Sequence, residues 1–198
     1  SAGSLDNSFD GDGLLTRAVG TQDQGFSLLL QADGKIVEAG NSQFGSAYSG
    51  VVQRMNADGS LDNGFSGTGL AYQSNYFSSD AASAMLVQPD GKVLVAGNTY
   101  NGTTYVSSLT RYNSDGSLDV SFDGDGKLLV QLSPSYTQIN ALALQDDGKI
   151  IVGGYSYAGT GYAFLLARFN SDGSLDNSFD GDGKLLTSIG GTNDQVNT

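Results

Sequence analysis

The sequence predicts an all-β protein, a tandem repeat of four-stranded antiparallel blades of the β-propeller kind. One string, SLDNSFDGDG with small variations, recurs four times, its leucines being Leu5, Leu61, Leu118 and Leu175. A second string, QADGKIV with small variations, recurs with a period of 57 residues, beginning at Gln31, Gln88 and Gln145. Two unrelated strings with one period indicate a repeat architecture. No stretch shows a sustained helical period, because glycine interrupts every window that is long enough.

Four strands follow from the pattern within one copy. Apolar stretches flank each Asp-Gly-Lys turn, as in FSLLLQ and KIVEAGN, and this predicts a β-hairpin. A third strand ends in VVQRMN, SLTRYN or LLARFN, just before the DGSLD turn. A fourth strand follows the last glycine of the recurring string, as in GLAYQS. Four short strands in 57 residues are typical of a propeller blade rather than of a β-helix coil.

The repeat boundaries divide the chain into blades. Residues 1–24 hold the last strand of a preceding blade, and 25–80, 81–137 and 138–193 hold three complete blades. Residues 194–198 begin a further blade. Since a closed propeller usually has four to eight blades, we expect an incomplete arc of a larger ring. Further repeats of the same protein, or another subunit, would complete it. A start at Ser1 without methionine is what a piece of a longer chain would show.

The string DGSLDxSFDGDGK, followed half a repeat later by QxDGKIVVAG-like text, resembles the delta-60 repeat of bacterial proteins. The resemblance implies β-propellers in large exported proteins without an established activity, and hence an extracellular or cell-surface location. One copy departs from the pattern, because Ser66, Gly67 and Thr68 replace Asp-Gly-Asp. The role of the two aspartates is therefore open for that copy.

Composition excludes several classes of function. The chain has 21 acidic and 9 basic residues and a net charge of −12, which repels phosphate backbones and makes nucleic acid an unsuitable partner. No apolar run is long enough for a membrane-spanning helix. Cysteine and histidine are absent, which removes thiol nucleophiles, imidazole bases and the usual zinc ligands. We therefore expect no enzyme, no nucleic-acid binding and no membrane insertion.

The cations and one aromatic residue recur at fixed places in the repeat, which favours an architectural role. The recurring cations are Arg54, Arg111 and Arg168, Lys35, Lys92 and Lys149, and Lys127 and Lys184. Each arginine is expected to brace the Asp-rich turn two to eight residues later through charge-assisted hydrogen bonds. The recurring phenylalanines are expected to fill the space between blades; they are Phe9, Phe65, Phe122 and Phe179.

The Asp-rich turns also suggest calcium, which prefers six to eight oxygen ligands. The candidate ligands are Asp10, Asp12, Asp115, Asp119, Asp123, Asp125, Asp172, Asp176, Asp180 and Asp182. The match to a calcium loop is incomplete, because its first and twelfth positions would be Arg111 and Phe122. The alternative is that these side chains cap amides of the turns.

A ligand site is expected where the copies differ. The segments between strands two and three, and between blades, are variable and lie on one face in a propeller. The candidate residues of this face are Phe44, Tyr48, Tyr76, Phe77, Tyr100, Tyr136 and Tyr157. Tyrosines among small polar residues suit glycan or protein ligands. Tyr105 and Tyr162 fall close to the third strand and are expected to pack between blades instead.

These observations predict a non-enzymatic structural or interaction module of an exported bacterial repeat protein, with a tyrosine-rich face for glycan or protein. One alternative is a calcium-stiffened spacer of an adhesin. Another is a propeller glycosidase that uses two carboxylates, which is disfavoured because no acidic residues cluster outside the repeated motifs.

Overall fold

A computed structural model describes residues 3–73, 80–157, 159 and 161–189. Twelve strands within these residues form three separate four-stranded sheets, each antiparallel and in chain order. The strands of blade 1 are β1 (Asp23–Leu30), β2 (Ile36–Phe44), β3 (Ala47–Met55) and β4 (Leu70–Gln73). Those of blade 2 are β5 (Asp80–Val87), β6 (Val93–Tyr100), β7 (Tyr105–Tyr112) and β8 (Lys127–Val130). Those of blade 3 are β9 (Thr137–Leu144), β10 (Ile150–Tyr157), β11 (Tyr162–Phe169) and β12 (Lys184–Thr187). The predicted all-β, blade-like fold is confirmed.

The turns between strands have the backbone that their glycines predict. Gly34, Gly91 and Gly148 in the Asp-Gly-Lys turns have φ of +84°, +82° and +82°, a region that a residue without Cβ enters cheaply. The aspartate before each glycine accepts a hydrogen bond from the lysine amide, at 3.1–3.2 Å. The hairpin is thus fixed by three residues that recur in each blade.

Each blade begins slightly earlier than the sequence predicted. The first strands begin at Asp23, Asp80 and Thr137, whereas the predicted blades began at residues 25, 81 and 138. The apolar pattern misses these residues because they are polar, yet they pair across the strands. In blade 1, Ser42 Oγ of β2 donates to Asp23 Oδ1 at 2.5 Å, and in blade 2 the Thr99 hydroxyl donates to Asp80.

The blades pack face to face in sequence order. One apolar cluster joins blade 1 to blade 2 around Val37, Val52, Phe65 and Met85. A second cluster, which includes Leu94, Leu109, Phe122, Ile139 and Leu165, joins blade 2 to blade 3. Strand β6 of blade 2 is buried on both faces, whereas β11 of blade 3 alternates between buried and half-exposed positions. Blade 2 is therefore covered from both sides and blade 3 from one.

The first strands of neighbouring blades lie against each other, β1 against β5 and β5 against β9, so the blades spread outward from their first strands. Blade 1 leaves Phe26, Leu28 and Leu30 of β1 more than half exposed on its outer face. Residues 13–18 (GLLTRA), which were predicted to form the last strand of a preceding blade within residues 1–24, form no strand. The described part of the chain contains no helix that could span a membrane. The predicted start of a further blade, residues 194–198, lies outside the described residues.

Candidate functional site

The two edges of the row of blades differ in chemistry. One edge, here called the turn edge, carries the Asp-Gly-Lys and DGSLD turns; the other carries the variable segments. At the turn edge of blade 1, Asp62 Oδ2 accepts Arg54 Nε at 2.7 Å and Lys35 Nζ at 3.1 Å. The corresponding bonds in blade 2 join Asp119 to Arg111 and Lys92, at 2.6 and 3.0 Å.

The same three-residue clamp closes blade 3, where Asp176 accepts Arg168 Nε at 2.7 Å and Lys149 Nζ at 2.9 Å. Each guanidinium group also lies over the phenylalanine of its own turn, with Arg111 4.6 Å from the centre of the Phe122 ring. The prediction that each arginine braces the following Asp-rich turn is confirmed. This edge is architectural in all three blades.

The environment of Asp119 shows how the clamp holds a buried charge. Burial by itself opposes ionisation of this carboxyl. The hydrogen bonds of Ser121 and Lys92 and the charge of Arg111 outweigh burial and hold the pKa of Asp119 well below its usual range. The carboxylate is therefore charged and fully bonded within its own blade.

The aspartates predicted to bind calcium are spread over four kinds of position. Asp119 and Asp176 belong to the clamps. Asp115 and Asp172 accept the amide and hydroxyl of Ser117 and Ser174 two residues later. The amides of Leu14, Lys127 and Lys184 are capped by Asp12, Asp125 and Asp182.

The fourth kind of position, that of Asp10, Asp123 and Asp180, has φ near +50°. Burial raises the pKa of Asp123, and the nearby charges of Asp125 and Asp172 raise it further. Among the residues that the structure describes, no three carboxylates come together as a metal site. An experiment that distinguishes calcium binding from the capping of turn amides is given below.

The copy that lacks two aspartates keeps the same turn. Ser66 takes the place of the first aspartate with φ of +52°, and its amide bonds to the Asp115 carbonyl at 2.6 Å. The amide of Asp123 makes the equivalent bond to the Asp172 carbonyl at 2.8 Å. The turn thus depends on its backbone and not on a carboxylate at this position.

The opposite edge carries six tyrosines, here called the tyrosine face. It consists of Tyr100, Tyr105, Tyr136, Tyr155, Tyr157 and Tyr162. Tyr105, Tyr136 and Tyr157 are the most exposed, at 47, 43 and 43 %. The turns joining strands two and three bring these residues to one edge, together with the segment that joins blade 2 to blade 3. The predicted separation of the two edges is confirmed.

Strand pairing sets the arrangement of the rings. Tyr100 lies directly opposite Tyr105, and Tyr157 directly opposite Tyr162, at the ends of their hairpins. Their ring centres are 5.4 and 5.7 Å apart. Tyr155 lies two residues before Tyr157 on the same side of β10, and its ring is 5.0 Å from that of Tyr162.

Tyr136 packs against the tyrosines of blade 3. It lies in the segment between β8 and β9, and its ring centre is 6.3 Å from that of Tyr155. Partial burial raises the pKa of Tyr136, and the phenols of Tyr155, Tyr162 and Tyr105 add to this effect. Tyrosines of blade 2 and of blade 3 therefore lie at the same edge, each pair at the end of its own hairpin.

Polar groups on the tyrosine face are held by short contacts. Tyr136 donates its hydroxyl to Gln138 Oε1 at 2.7 Å, and Tyr157 donates its hydroxyl to the Gly159 carbonyl at 2.8 Å. Asn101 accepts the amides of Thr103 and Thr104 in the turn beside Tyr100. The rings are therefore surrounded by neutral amides and hydroxyls.

The cations of the chain lie at the turn edge or donate a hydrogen bond to it. Eight of the nine occupy the repeated positions beside the turns, and the ninth, Arg17, donates Nη2 to the Gly59 carbonyl in the DGSLD turn of blade 1. No lysine or arginine belongs to the variable segments at residues 41–50, 98–107 and 155–164. The variable segments that form the tyrosine face therefore carry aromatic side chains and no positive charge.

The structure brings together some predicted ligand residues and separates others. Tyr100, Tyr136 and Tyr157 share the tyrosine face, whereas Phe44 and Tyr48 are exposed on blade 1, where the strand register places them on opposite faces of the sheet. Phe44 there contacts Tyr72, with ring centres 5.8 Å apart. Two further candidates, Tyr76 and Phe77, lie outside the described residues.

One expectation about this face is wrong and one residue was missed. Tyr105 does not pack between blades, because it is the first residue of β7 and its ring projects beside Tyr100. Tyr162 is half-buried, but it packs among Tyr155 and Tyr157 of its own blade. Tyr155 was missed because it lies within a strand; its spacing of two residues from Tyr157 was the available signal.

A row of four-stranded antiparallel blades with recurring turn clamps defines a protein of the β-propeller repeat class. The chain belongs to the family described as "Domain of unknown function (DUF5122) beta-propeller". The family model matches residues 31–65, 88–122 and 145–179, together more than half of the chain. Each match runs from the Asp-Gly-Lys turn to the phenylalanine of the following DGSLD turn. No curated protein matches the chain.

Proposed function

We propose that this chain is a non-enzymatic interaction module that binds a neutral glycan on its tyrosine face. The observation that carries the proposal is the set of exposed rings of Tyr105, Tyr136 and Tyr157 at one edge, of which Tyr136 and Tyr157 belong to one group of ring contacts through Tyr155 and Tyr162. Exposed aromatic rings offer flat apolar faces to the C–H side of a sugar, and the neighbouring amides and hydroxyls offer hydrogen bonds to its hydroxyl groups.

The charge distribution supports a neutral glycan over an anionic one. All nine cations lie at the turn edge or donate a hydrogen bond to it, and the chain carries a net charge of −12. A sulfated or sialylated sugar would therefore be repelled and would find no guanidinium partner on the tyrosine face. The lack of arginine also disfavours a protein ligand, since arginine is among the residues that dominate protein–protein hot spots.

A non-enzymatic role is supported by the inventory of reactive groups. The sequence contains no histidine and no cysteine. Asp23 and Asp80, the acidic residues that begin β1 and β5, already accept hydrogen bonds from Ser42 and Thr99. A glycosidase needs two carboxylates that flank the sugar bond, whereas the segments that carry the tyrosine face, residues 98–107, 131–138 and 155–164, contain no acidic residue.

We further propose that the repeats are of the delta-60 type and that the parent protein is exported by a bacterium. The DGSLDxSFDGDG strings support the first statement, and a glycan ligand supports the second because glycans are displayed outside the cell. Fractionation of cells that make the parent protein tests the location. Recovery in the cytoplasm alone would contradict it.

A glycan array with the 198-residue chain tests the proposed ligand. We expect binding to neutral glycans, and a loss of at least tenfold with Tyr105→Ala or Tyr157→Ala. Tyr72→Ala is the matched control, since Tyr72 is 43 % exposed but lies on blade 1. Equal binding by all variants, or binding restricted to charged glycans, would overturn the proposal.

A further inference from the structure

The blades of this chain are joined by the same contact at each junction. The phenylalanine of one DGSLD turn lies over the glycine of the next blade's turn, as Phe65 does over Gly116 and Phe122 over Gly173. A Cβ atom added at Gly116 or Gly173 would stand 3.0 Å from the ring. Phe9 lies over Gly59 in the same way, at 3.2 Å. The contact therefore occurs three times.

Two hydrogen bonds accompany this ring-over-glycine contact. The backbone amide that follows the phenylalanine donates to the carbonyl just before the glycine. These bonds are Asp10 to Asp58 at 2.9 Å, Ser66 to Asp115 at 2.6 Å and Asp123 to Asp172 at 2.8 Å. In addition, Arg54 Nη1 donates to the Ser114 carbonyl and Arg111 Nη1 to the Ser171 carbonyl, both at 2.5 Å. One turn thus receives a ring, an amide and a guanidinium group from the preceding blade.

Blade 3 presents the same three groups at its outer face. Arg168 is clamped to Asp176 and lies 4.9 Å from the centre of the Phe179 ring, so both are already held in the orientation seen in blades 1 and 2. The Arg168 side chain is 20 % exposed, against 5 % for Arg111, and Phe179 is half-buried where Phe122 is fully buried. Asp180 keeps φ of +50°, which matches Asp123 at +51°.

The apolar residues around these groups also match those that pack between blades 2 and 3. Ile151 and Leu166 of blade 3 occupy the repeat positions of Leu94 and Leu109, which are fully buried against blade 3. Ile151 and Leu166 are themselves partly exposed. The outer face of blade 3 therefore continues an interface that the chain has already formed twice.

We propose that the outer face of blade 3 is a docking site for one occupant, a further blade with the same Ser/Ala-Asp-Gly-Ser turn. Arg168 Nη1 and the Asp180 amide bind the two carbonyls before the glycine, and Phe179 lies over that glycine. A second copy of this chain is a poorer occupant, because its three DGSLD turns at Gly59, Gly116 and Gly173 are each already covered by a phenylalanine. The inference is independent of the ligand of the tyrosine face.

The test extends the chain by one period. A copy of residues 138–194 is joined after Asp194, and hydrogen exchange of the Asp180 amide is measured in both chains. We expect exchange to slow at least tenfold in the extended chain, to the level of the Asp123 amide. The matched control carries Val at the added copy of Gly173, which the Phe179 ring should reject; there the Asp180 amide should exchange as in the original chain.

Two outcomes would overturn the proposal. One is an unprotected Asp180 amide in an extended chain whose added strands are themselves protected. The other is concentration-dependent protection in the original chain, which would identify a second copy as the occupant.

A variant of the original chain covers the case in which the added blade fails to fold. Gly173→Val should open the existing junction and speed exchange of the Asp123 amide at least tenfold, while the Ser66 amide stays protected. Unchanged protection of Asp123 would show that the contact does not hold blades together.

Discussion

Arg111 Nε lies 2.6 Å from Asp119 Oδ2, eight residues further along the chain, and both side chains are almost fully buried. The same guanidinium group reaches the Ser171 carbonyl of the next blade through Nη1. One side chain therefore fixes a turn within blade 2 and bonds that blade to blade 3.

Replacement of Arg111 by Ala should be among the most destabilising substitutions in this chain. It leaves the buried carboxylate of Asp119 without its closest partner, for which a loss of about 3–5 kcal/mol in the free energy of unfolding is expected. Arg168→Ala is the matched comparison, because Arg168 is more exposed and its clamp is otherwise the same. We expect about 1–2 kcal/mol there. Urea unfolding measures both, and equal losses would contradict the role of the cross-blade bond.

Stability should fall in acid because of the clamp. The pKa of Asp119 is lowered in the folded chain, whereas an unfolded aspartate titrates near about 3.9. The stabilisation is therefore fully present above about pH 4 and is lost as the pH falls through the lower, folded pKa. Urea midpoints between pH 2 and pH 7 measure the slope. Asp119→Asn should be less stable at pH 7 and show a shallower decline below pH 4; an unchanged slope would argue against the clamp as its cause.

Gly116→Ala should separate the cost of close approach from the cost of backbone conformation. A Cβ atom at Gly116 would stand 2.5 Å from the Ser66 amide nitrogen, and φ is +83°. Gly124 has φ of +87° but nothing within 4 Å. Gly124→Ala should therefore cost about 1–2 kcal/mol, the conformational penalty alone, and Gly116→Ala clearly more. Thermal or urea unfolding measures the loss of stability of both variants. Equal losses would mean that the contact between blades shifts to accommodate the added Cβ atom.

Calcium should have little effect on the melting temperature. The carboxylates of Asp12, Asp115, Asp125 and Asp172 already accept hydrogen bonds from amides or hydroxyls of their own turns. A gain of 1 kcal/mol would shift the melting temperature of a chain of this size by about 2–4 °C. We expect a smaller difference between millimolar calcium and chelator. A larger rise with calcium would instead favour the calcium-stiffened spacer.

Much of the fold could be predicted because its determinants are local. The Asp-Gly-Lys hairpin is specified by a glycine that tolerates positive φ and an aspartate that caps the next amide. The clamp could be predicted too, since Arg111 and Asp119 are close in sequence and recur in each blade. The cross-blade bond could not, because its acceptor is the backbone carbonyl of Ser171, 60 residues later, and any residue type offers such a carbonyl.

The tyrosine face was predicted in part for a similar reason. The variable segments pointed to Tyr100, Tyr136 and Tyr157, and these do meet at one edge. Whether Tyr105 projects outward or packs between blades depends on the position at which β7 begins, and one residue of register reverses it. Ser66 shows the opposite case, in which a change of sequence leaves the turn backbone unchanged.

The junction between blades has a consequence for how such a chain changes over generations. Within blades 1 to 3 the ring, the amide, the guanidinium group and the glycine recur at a spacing of 57 residues, so a duplication of one whole period inserts a blade whose two faces already match its neighbours. A deletion of one period likewise joins two faces that fit. Blade number is then free to drift by unequal recombination, while each blade keeps its own variable edge on which to acquire or lose a ligand.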